Sequence, residues 1–223
     1  MKFRHEWKHE ITLSDMMTLR TRFRTVAKPE KHGTKGTYNI RSLYFDDLFD
    51  TVLREKINGV NMREKFRIRY YENDMSFIRL EKKTKVNGLC NKMWIPISIE
   101  ETEKILSCDI EWMQTDERQL ARELYLKMKD KGLRPKTIVD YTRDAFVFPA
   151  GNVRVTIDYN IRTGMQSMDF LNSDSVTVPA GDAPIILEVK WDEYLPDIIR
   201  DAVQLEGRHS AAFSKYAACR IYG

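Results

Sequence analysis

The sequence predicts an α+β fold built on a mostly antiparallel sheet of about eight strands, with helices between and after them. Two observations support this prediction. Segments in which polar and apolar residues alternate recur along the chain, as is typical of strands whose two faces meet different surroundings. Segments with apolar residues at helical spacing lie between them. The chain has 223 residues, 42% of them hydrophobic, so we expect one domain over residues 1–223.

The strand predictions follow from the alternating segments and from the turn residues that separate them. Glu72-Asn73-Asp74 and Asn87-Gly88 are turn sequences, and each stands between two such segments. Strands are predicted at about residues 3–12, 38–45, 60–71, 76–86, 90–97, 136–148, 152–161 and 184–191.

Capping residues and apolar spacing predict the helices. Ser14 is a candidate N-cap for the first helix, Ser98 and Glu101 form a capping box, and Pro196 suits the first position of a later helix. Helices are predicted at about residues 14–26, 48–57, 98–106, 120–131 and 196–205, with a helix or turn at 210–219 and a loop at 164–183.

The most informative segment is residues 63–70, where every second residue is a cation. Side chains alternate faces along a strand, so these cations share one face, while Phe66 and Ile68 point to the other. They are Arg63, Lys65, Arg67 and Arg69, and the next strand repeats the pattern with Arg79, Glu81, Lys83 and Lys85. Like charges this close repel one another, so we expect a polyanion opposite them, with phosphate as the first candidate.

The direction of the cationic faces determines whether the sheet closes. If the cationic faces point outward, the apolar faces form an ordinary core between layers. If the cationic faces point inward, the sheet must curl around a polar interior, and helices must cover its apolar outer face. The amphipathic helices favour the second arrangement, a closed eight-stranded barrel with room for one small or thin ligand.

Composition restricts the class of protein and its location. The 37 Lys and Arg residues nearly balance 33 Asp and Glu, a net charge of +4, which disfavours non-specific coating of nucleic acid. Three cysteines without CxxC spacing are typical of a reducing compartment. No segment resembles a signal peptide or approaches the ~20 apolar residues of a membrane span. We therefore expect a cytoplasmic protein with no transmembrane segment of its own.

Two other features of the sequence bear on function. His5-Glu6-Trp7-Lys8-His9 matches the H-E-x-x-H signature of zinc proteases, but that motif requires a helix, and alternation predicts a strand here. Trp94, Trp112 and Trp191 are expected to be packing residues rather than platforms for base stacking. Nucleic-acid binding by the basic strands remains an alternative of a non-enzymatic kind.

A series of short motifs, in order along the chain, resembles the catalytic domain of the vacuolar transporter chaperone (VTC) family. That family belongs to the triphosphate tunnel metalloenzymes, the CYTH-like superfamily. The motifs are Glu6-Trp7-Lys8, Ser42-Leu43-Tyr44-Phe45-Asp46, Arg67-Ile68-Arg69, Leu80-Glu81-Lys82-Lys83-Thr84, Tyr141-Thr142-Arg143, Val153-Arg154-Val155-Thr156-Ile157-Asp158, Leu187-Glu188-Val189-Lys190 and Phe213-Ser214-Lys215-Tyr216.

The resemblance implies a tunnel whose basic residues bind a phosphate chain and whose acidic residues hold Mn²⁺ or Mg²⁺. It implies catalytic roles for Lys8, Arg67, Arg69, Lys83, Arg143, Arg154 and Lys215. The same residues, with Lys92, Tyr141 and Lys190, are expected to bind substrate. Glu188 and Glu6 are the expected metal ligands. Arg4 stands where the wider superfamily has the first acid of its Glu-x-Glu-x-Lys opening, which favours the polymerase-like branch.

The function that the resemblance implies is transfer of the terminal phosphate of ATP to a growing chain of inorganic polyphosphate. The alternatives are an inorganic or nucleoside triphosphatase of the same fold, or a non-catalytic module that binds polyphosphate or nucleic acid. The expected ligands are ATP and inorganic polyphosphate or triphosphate, without nucleic acid. Export of the product would require a membrane-protein partner.

Overall fold

The computed structural model describes residues 4–31, 33–34, 36–205 and 213–221. All eight predicted strands are present, and their bounds lie close to those predicted. The strands are β1 His5–Ile11, β2 Lys28–Pro29, β3 Thr37–Asp46, β4 Met62–Tyr71, β5 Asp74–Val86, β6 Leu89–Ile97, β7 Arg134–Phe148, β8 Val153–Thr163, β9 Val178–Pro179 and β10 Ile185–Trp191. The two-residue strands β2 and β9 were not predicted; they pair with β7 and β8.

The helices also follow the predicted pattern, with differences at their ends. They are α1 Leu13–Val26, α2 Thr51–Ile57, α3 Ile99–Leu106, α4 Gln119–Asp130, α5 Asp197–Ala202 and α6 Lys215–Cys219, with short 3-10 helices at Glu111–Thr115 and Ala150–Asn152. Residues 210–212 of the last predicted helix or turn lie outside the described residues.

Two predicted helix starts are wrong. Thr12, not Ser14, caps α1: its hydroxyl accepts from the Asp15 N–H, and the Asp15 carboxylate accepts from the Thr12 N–H. Thr12 lies one residue after the end of β1, so the helix begins earlier than expected. Pro196 is the extended N-cap of α5, whose helical residues are Asp197–Ala202. The predicted capping box of Ser98 and Glu101 is confirmed.

The strands form one sheet in which every pairing is antiparallel. The order is β1-β10-β8-β7-β3-β4-β5-β6, and its two ends meet at a single bridge between Arg4 and Cys90. The described residues thus form a curled sheet without a hydrogen-bonded ladder between β1 and β6, and the prediction of a closed barrel is confirmed only in part.

The apolar faces of the strands point outward and are covered by helices, as predicted. Phe66, Ile68 and Tyr70 of β4 are buried in a cluster with residues of α3 and α4. On the other side, Val155 and Val189 belong to a second cluster, which includes buried residues of α1. The opposite strand faces, which carry the cations, therefore point into the space that the sheet encloses.

The H-E-x-x-H segment lies on a strand, which supports the expectation that it is not a zinc-protease motif. Glu6 and Lys8 alternate with His5, Trp7 and His9 along β1. The His5 ring stacks on Trp191 with 5.4 Å between centroids. Within the residues described, no three His, Cys, Asp or Glu side chains form a group that could hold a metal ion. In the same part of the chain, none of the helices has the length and apolar character needed to span a lipid bilayer.

Candidate functional site

The curled sheet encloses a cavity of about 680 Å³ whose wall is formed by the cationic strand faces. Among the described residues, fourteen Lys and Arg side chains and three Glu side chains line it. This excess of positive charge suits a polyanionic ligand. The lining includes all twelve residues expected at the site: Glu6, Lys8, Arg67, Arg69, Lys83, Lys92, Tyr141, Arg143, Arg154, Glu188, Lys190 and Lys215.

Arg67 is held by the buried carboxylate of Glu81, which lies opposite it in the β4–β5 ladder. Arg67 Nε donates to Glu81 Oε2 at 2.7 Å, and Arg67 Nη1 donates to the Tyr44 hydroxyl at 2.9 Å. Lys92 Nζ donates to the second Glu81 oxygen at 2.9 Å. Burial opposes ionisation of Glu81, but Arg67, Arg69 and Lys92 hold its pKa far below the usual range. Glu81 is therefore an ionised anchor for three cations.

Arg69 is held by neutral hydroxyl groups. Its Nε donates to Ser42 Oγ at 2.8 Å, and its Nη2 donates to the Tyr141 hydroxyl at 3.0 Å. The Ser42 bond joins partners in the β3–β4 ladder, whereas Tyr141 comes from β7. The hydroxyl groups orient the guanidinium, and Glu81 Oε2 lies farther away, 3.8 Å from Arg69 Nη1.

The carboxylate of Asp158, on β8, anchors two other cations, as Glu81 anchors Arg67 and Lys92. Arg143 Nε and Nη2 bind its two oxygens at 2.6 and 2.8 Å, and Lys215 Nζ lies 2.5 Å from Oδ2. Burial raises the pKa of Asp158, but the two cations outweigh it and lower the pKa to about 2. Since Lys215 begins α6, this carboxylate also brings the C-terminal helix to the cavity wall.

The remaining predicted arginine, Arg154, lies beside Glu30 and Tyr38. Its Nη2 donates to Glu30 Oε2 at 2.7 Å and to the Tyr38 hydroxyl at 2.8 Å. Arg154 is paired with Lys190 in the β8–β10 ladder, so the two cations lie side by side on neighbouring strands.

The expected metal ligands Glu6 and Glu188 share lysine partners. Lys8 Nζ lies 2.7 Å from Glu6 Oε1 and 3.8 Å from Glu188 Oε1. Lys190 Nζ lies 3.0 Å from Glu188 Oε1 and 3.8 Å from Glu6 Oε2, and Lys83 Nζ lies 3.1 Å from Glu6 Oε2. The two carboxylates therefore face a common region of the cavity.

Burial and mutual interaction determine the charges in this cluster. Burial raises the pKa of Glu188, but Lys190 and Lys8 hold it well below the usual range, and the lysines likewise keep the pKa of Glu6 low. Burial lowers the pKa of Lys190 to about 8 although both carboxylates oppose the change. Lys8 is also buried, yet Glu188 and Glu6 raise its pKa above the usual value.

Two adjacent ionised carboxylates form a donor set that fits Mg²⁺ or Mn²⁺. These ions are commonly bound by one or two carboxylates, with water and substrate phosphates as the other ligands. Glu6 and Glu188 supply that number of carboxylates on the cavity wall. The rest of the coordination would come from water and from the phosphates of a ligand.

Arg4, the residue before β1, donates hydrogen bonds to residues at the ends of two other strands. Its Nε donates to Asp192 Oδ1 at 2.8 Å, and its Nη2 donates to the Asn152 carbonyl. Arg4 also forms the bridge to Cys90. Arg4 and Glu6, two residues apart, therefore both lie on the cavity wall.

Four important residues were not among the expected site residues. Glu81 and Asp158 orient the cations. Lys65 and Tyr44 line the cavity together, with Lys65 Nζ 5.0 Å from the Tyr44 ring centroid. Burial and the nearby Lys83 and Arg67 lower the pKa of Lys65 to about 7, although Tyr44 opposes the shift. Lys65 and Glu81 could have been found from their places on the charged strand faces, whereas the spacing of the sequence alone does not reveal Asp158 and Tyr44 as partners.

Trp94 packs against Phe77 and Arg79, as expected of a packing residue, but it is not a core residue. Its side chain is 45% exposed, and it stands near Phe77, which is 40% exposed. Trp94 shares a strand face with Lys92 and so lies on the cavity side of β6. By contrast, Trp191 is buried and Trp112 packs against the helix-covered core, as expected.

The curled antiparallel sheet around a cation-lined cavity has a fold similar to those of solved adenylyl cyclase-like proteins. The fold is similar to that of an adenylyl cyclase-like protein from Hippeastrum described with a dominant triphosphatase activity (TM-score 0.60, 12% identity, 99% of this chain and 95% of that chain covered). It is also similar to an adenylate cyclase-like protein from Bacillus halodurans (TM-score 0.51, 12% identity, 85% and 80% covered).

The family is more specific than the fold class. The model of the VTC domain family matches residues 3–221, so this chain belongs to the VTC domain family. No curated protein matches the chain significantly. The predicted family is thereby confirmed.

Proposed function

We propose that this protein is a polyphosphate polymerase, which transfers the terminal phosphate of ATP to a growing chain of inorganic polyphosphate. The observation that carries the proposal is a cavity whose described lining residues include fourteen cations and three carboxylates, in a member of the VTC domain family. A cavity of about 680 Å³ accommodates a triphosphate together with part of a phosphate chain.

The reaction breaks one phosphoanhydride bond and makes another. A terminal oxygen of the acceptor chain attacks the γ-phosphorus of ATP, the bond from that phosphorus to the β,γ-bridging oxygen breaks, and ADP leaves. No protein nucleophile is required, so catalysis consists of positioning the reactants and stabilising charge on the transferred group.

The arginines suit this task because other groups already fix their orientation. Arg67 is anchored by Glu81, Arg143 by Asp158, and Arg69 by two hydroxyl groups. Each planar guanidinium can then present its remaining N–H groups to phosphate oxygens without reorganising.

The lysines act as point charges along the same path. Lys8, Lys83 and Lys190 surround Glu6 and Glu188, and can turn toward phosphate oxygens when a ligand enters. Mn²⁺ or Mg²⁺ held by Glu6 and Glu188 would supply further neutralisation of phosphate charge when bound.

The polymerase is preferred to a triphosphatase because of Arg4. Its side chain is bound to Asp192. The start of β1 therefore places one cation, Arg4, and one carboxylate, Glu6, on the cavity wall, rather than two carboxylates. A single carboxylate on this strand gives less support for activation of a water molecule by a second metal ion.

The proposal is tested by incubating the protein with ATP and Mn²⁺ or Mg²⁺ and separating the products on a gel. We expect a ladder of polymer that a polyphosphate-specific hydrolase removes, together with ADP. Release of orthophosphate without polymer would instead identify a triphosphatase, and binding without turnover would identify a non-catalytic module.

We further propose that the protein acts in the cytoplasm beside a membrane-protein partner that exports the product. A polyphosphate chain carries about one negative charge per phosphate and cannot cross a bilayer unaided. Cell fractionation with and without cross-linking tests this: we expect cross-linking to move the protein to the membrane fraction.

A further inference from the structure

Three aromatic rings surround the guanidinium of Arg79 at one edge of the tunnel. Arg79 Cζ lies 4.6 Å from the ring centroids of both Phe77 and Trp94, and 5.3 Å from that of Tyr71. The Phe77 and Trp94 rings meet edge to face, with their centroids 5.9 Å apart. We call these four residues the mouth cluster.

The strand registers place the mouth cluster next to the phosphate-binding wall. Arg79 lies opposite Arg69 across the β4–β5 ladder, and Trp94 lies opposite Glu81 across the β5–β6 ladder. Phe77, Arg79 and Glu81 share the inward face of β5 because they are two residues apart. Of the cluster, Tyr71 itself lines the cavity. A ligand that reaches from Arg69 toward the edge of the sheet would therefore contact the cluster.

Arg79 differs from the cations deeper in the tunnel. Arg67 and Arg143 have carboxylate partners, whereas within the described residues Arg79 has no ion pair and its buried Nε has no hydrogen-bond partner. Aromatic rings position its guanidinium through cation–π contacts without neutralising it. The charge of Arg79 is thus available to an anion.

Phe77 and Trp94 are large apolar side chains that folding leaves substantially exposed. The guanidinium of Arg79 covers part of each ring, and 40% of Phe77 and 45% of Trp94 remain accessible. Two exposed rings beside a free cation match a nucleotide, which has a flat aromatic base joined through ribose to phosphate. Stacking of a base on an aromatic side chain favours binding, and every base has a flat face that can stack.

We propose that the mouth cluster binds the nucleobase of the ATP donor. The base stacks on Trp94, with the perpendicular ring of Phe77 beside it. Arg79 contacts the phosphate nearest the ribose, and the terminal phosphate extends toward Arg69 and Arg67. This assignment rests on the proposed function, because it assumes that a triphosphate occupies the cavity. It makes the protein selective for nucleoside triphosphates over inorganic triphosphate, with purines preferred for their larger stacking surface.

The test compares ATP with inorganic tripolyphosphate, which has the phosphates but no base. Their dissociation constants are measured by isothermal titration calorimetry for the wild type, Trp94→Ala, Phe77→Ala and the conservative Trp94→Phe. We expect Trp94→Ala to weaken ATP binding roughly 5- to 100-fold and to leave tripolyphosphate binding within about twofold. Trp94→Phe should recover most of the ATP affinity, since a phenyl ring still stacks.

Tyr194→Ala is the matched control, because Tyr194 is an exposed aromatic residue that does not line the cavity. It should bind both ligands like the wild type. Quenching of tryptophan fluorescence gives a second readout: ATP should quench the wild type, tripolyphosphate should not, and the quenching should disappear in Trp94→Phe.

The outcomes separate this inference from the proposed function. Equal ATP affinity in the wild type and Trp94→Ala, with tripolyphosphate binding intact, would overturn the nucleobase assignment alone. Failure of the wild type to bind either ligand would overturn both proposals. Retained tripolyphosphate binding in each variant also shows that the variant is folded.

Discussion

Glu81 and Arg67 face each other across neighbouring strands, with Arg67 Nη2 2.6 Å from Glu81 Oε2, and Glu81 is only 1% exposed. A carboxylate by itself repels an anion. Glu81 holds Arg67 and Lys92 in place and lies 3.8 Å from Arg69 Nη1, so it limits the repulsion that closely spaced cations would otherwise suffer. The tunnel therefore has its positive charge organised before any phosphate enters.

Removal of the Glu81 charge should destabilise the protein. Glu81→Gln keeps the shape of the side chain but leaves its cations without their buried counter-charge, which we expect to lower the free energy of unfolding by about 3–5 kcal/mol. Urea denaturation measures this change. The control is Glu117→Gln, because Glu117 is exposed and lies outside the cavity.

A bound polyanion should partly restore the Glu81→Gln variant. At 100 times its dissociation constant, a ligand that binds only the folded state adds about 2.7 kcal/mol. We expect tripolyphosphate to raise the denaturation midpoint in both proteins. An unchanged unfolding free energy in Glu81→Gln without ligand would show that Glu81 does not organise these cations.

Loss of Arg67 should strongly reduce the rate of the reaction. In Arg67→Ala, a preoriented donor of charge-assisted hydrogen bonds is removed, and we expect kcat for ATP to fall on the order of 10²- to 10³-fold. The product gel with a coupled ADP assay measures the rate. Arg24→Ala is the matched control, since Arg24 is an exposed residue of α1. Synthesis at the normal rate in Arg67→Ala would contradict the assigned role.

Binding of phosphate should weaken as the pH rises through 7 to 8. Burial lowers the pKa of Lys65 to about 7 and that of Lys190 to about 8, so both lose their positive charge as the pH rises across this range. An anion prefers the protonated amines, so the cavity binds it more tightly below pH 7 than above pH 8. Calorimetric dissociation constants for tripolyphosphate between pH 6 and 9 measure the effect.

Lys65→Arg provides the control for this pH dependence. An arginine remains protonated throughout the range, whereas protonation of tripolyphosphate itself is the same for both proteins. The ratio of the two dissociation constants at each pH therefore isolates Lys65. We expect the variant to bind increasingly better than the wild type above pH 7; a constant ratio would show that Lys65 does not titrate there.

Loss of Glu188 should weaken binding of a divalent ion. In the presence of tripolyphosphate, Mn²⁺ binding followed by electron paramagnetic resonance should be weaker by roughly tenfold or more in Glu188→Gln. The readout does not depend on turnover. Glu117→Gln again serves as the control. Equal Mn²⁺ affinity in the wild type and Glu188→Gln would exclude Glu188 as a ligand.

The sequence alone was sufficient to predict those parts of the structure that depend on residues close together along the chain. Alternation along residues 63–70 predicted β4 and the shared face of its cations, and Ser98 with Glu101 predicted the start of α3. These features depend on the backbone period and on contacts within one turn. Local order was insufficient at α1, where Thr12 and Ser14 are both acceptable caps and only the end of β1 selects Thr12.

The tertiary structure decided which charges meet. Arg143 and Asp158 lie on neighbouring strands, Arg154 meets Glu30 from 124 positions earlier, and Trp94 joins Phe77 and Arg79 beside the tunnel. Each of these contacts depends on the register between strands and on the curl of the whole sheet. The amino-acid order therefore determined which faces are cationic, whereas packing determined which cations are anchored, which remain free and where the aromatic rings stand.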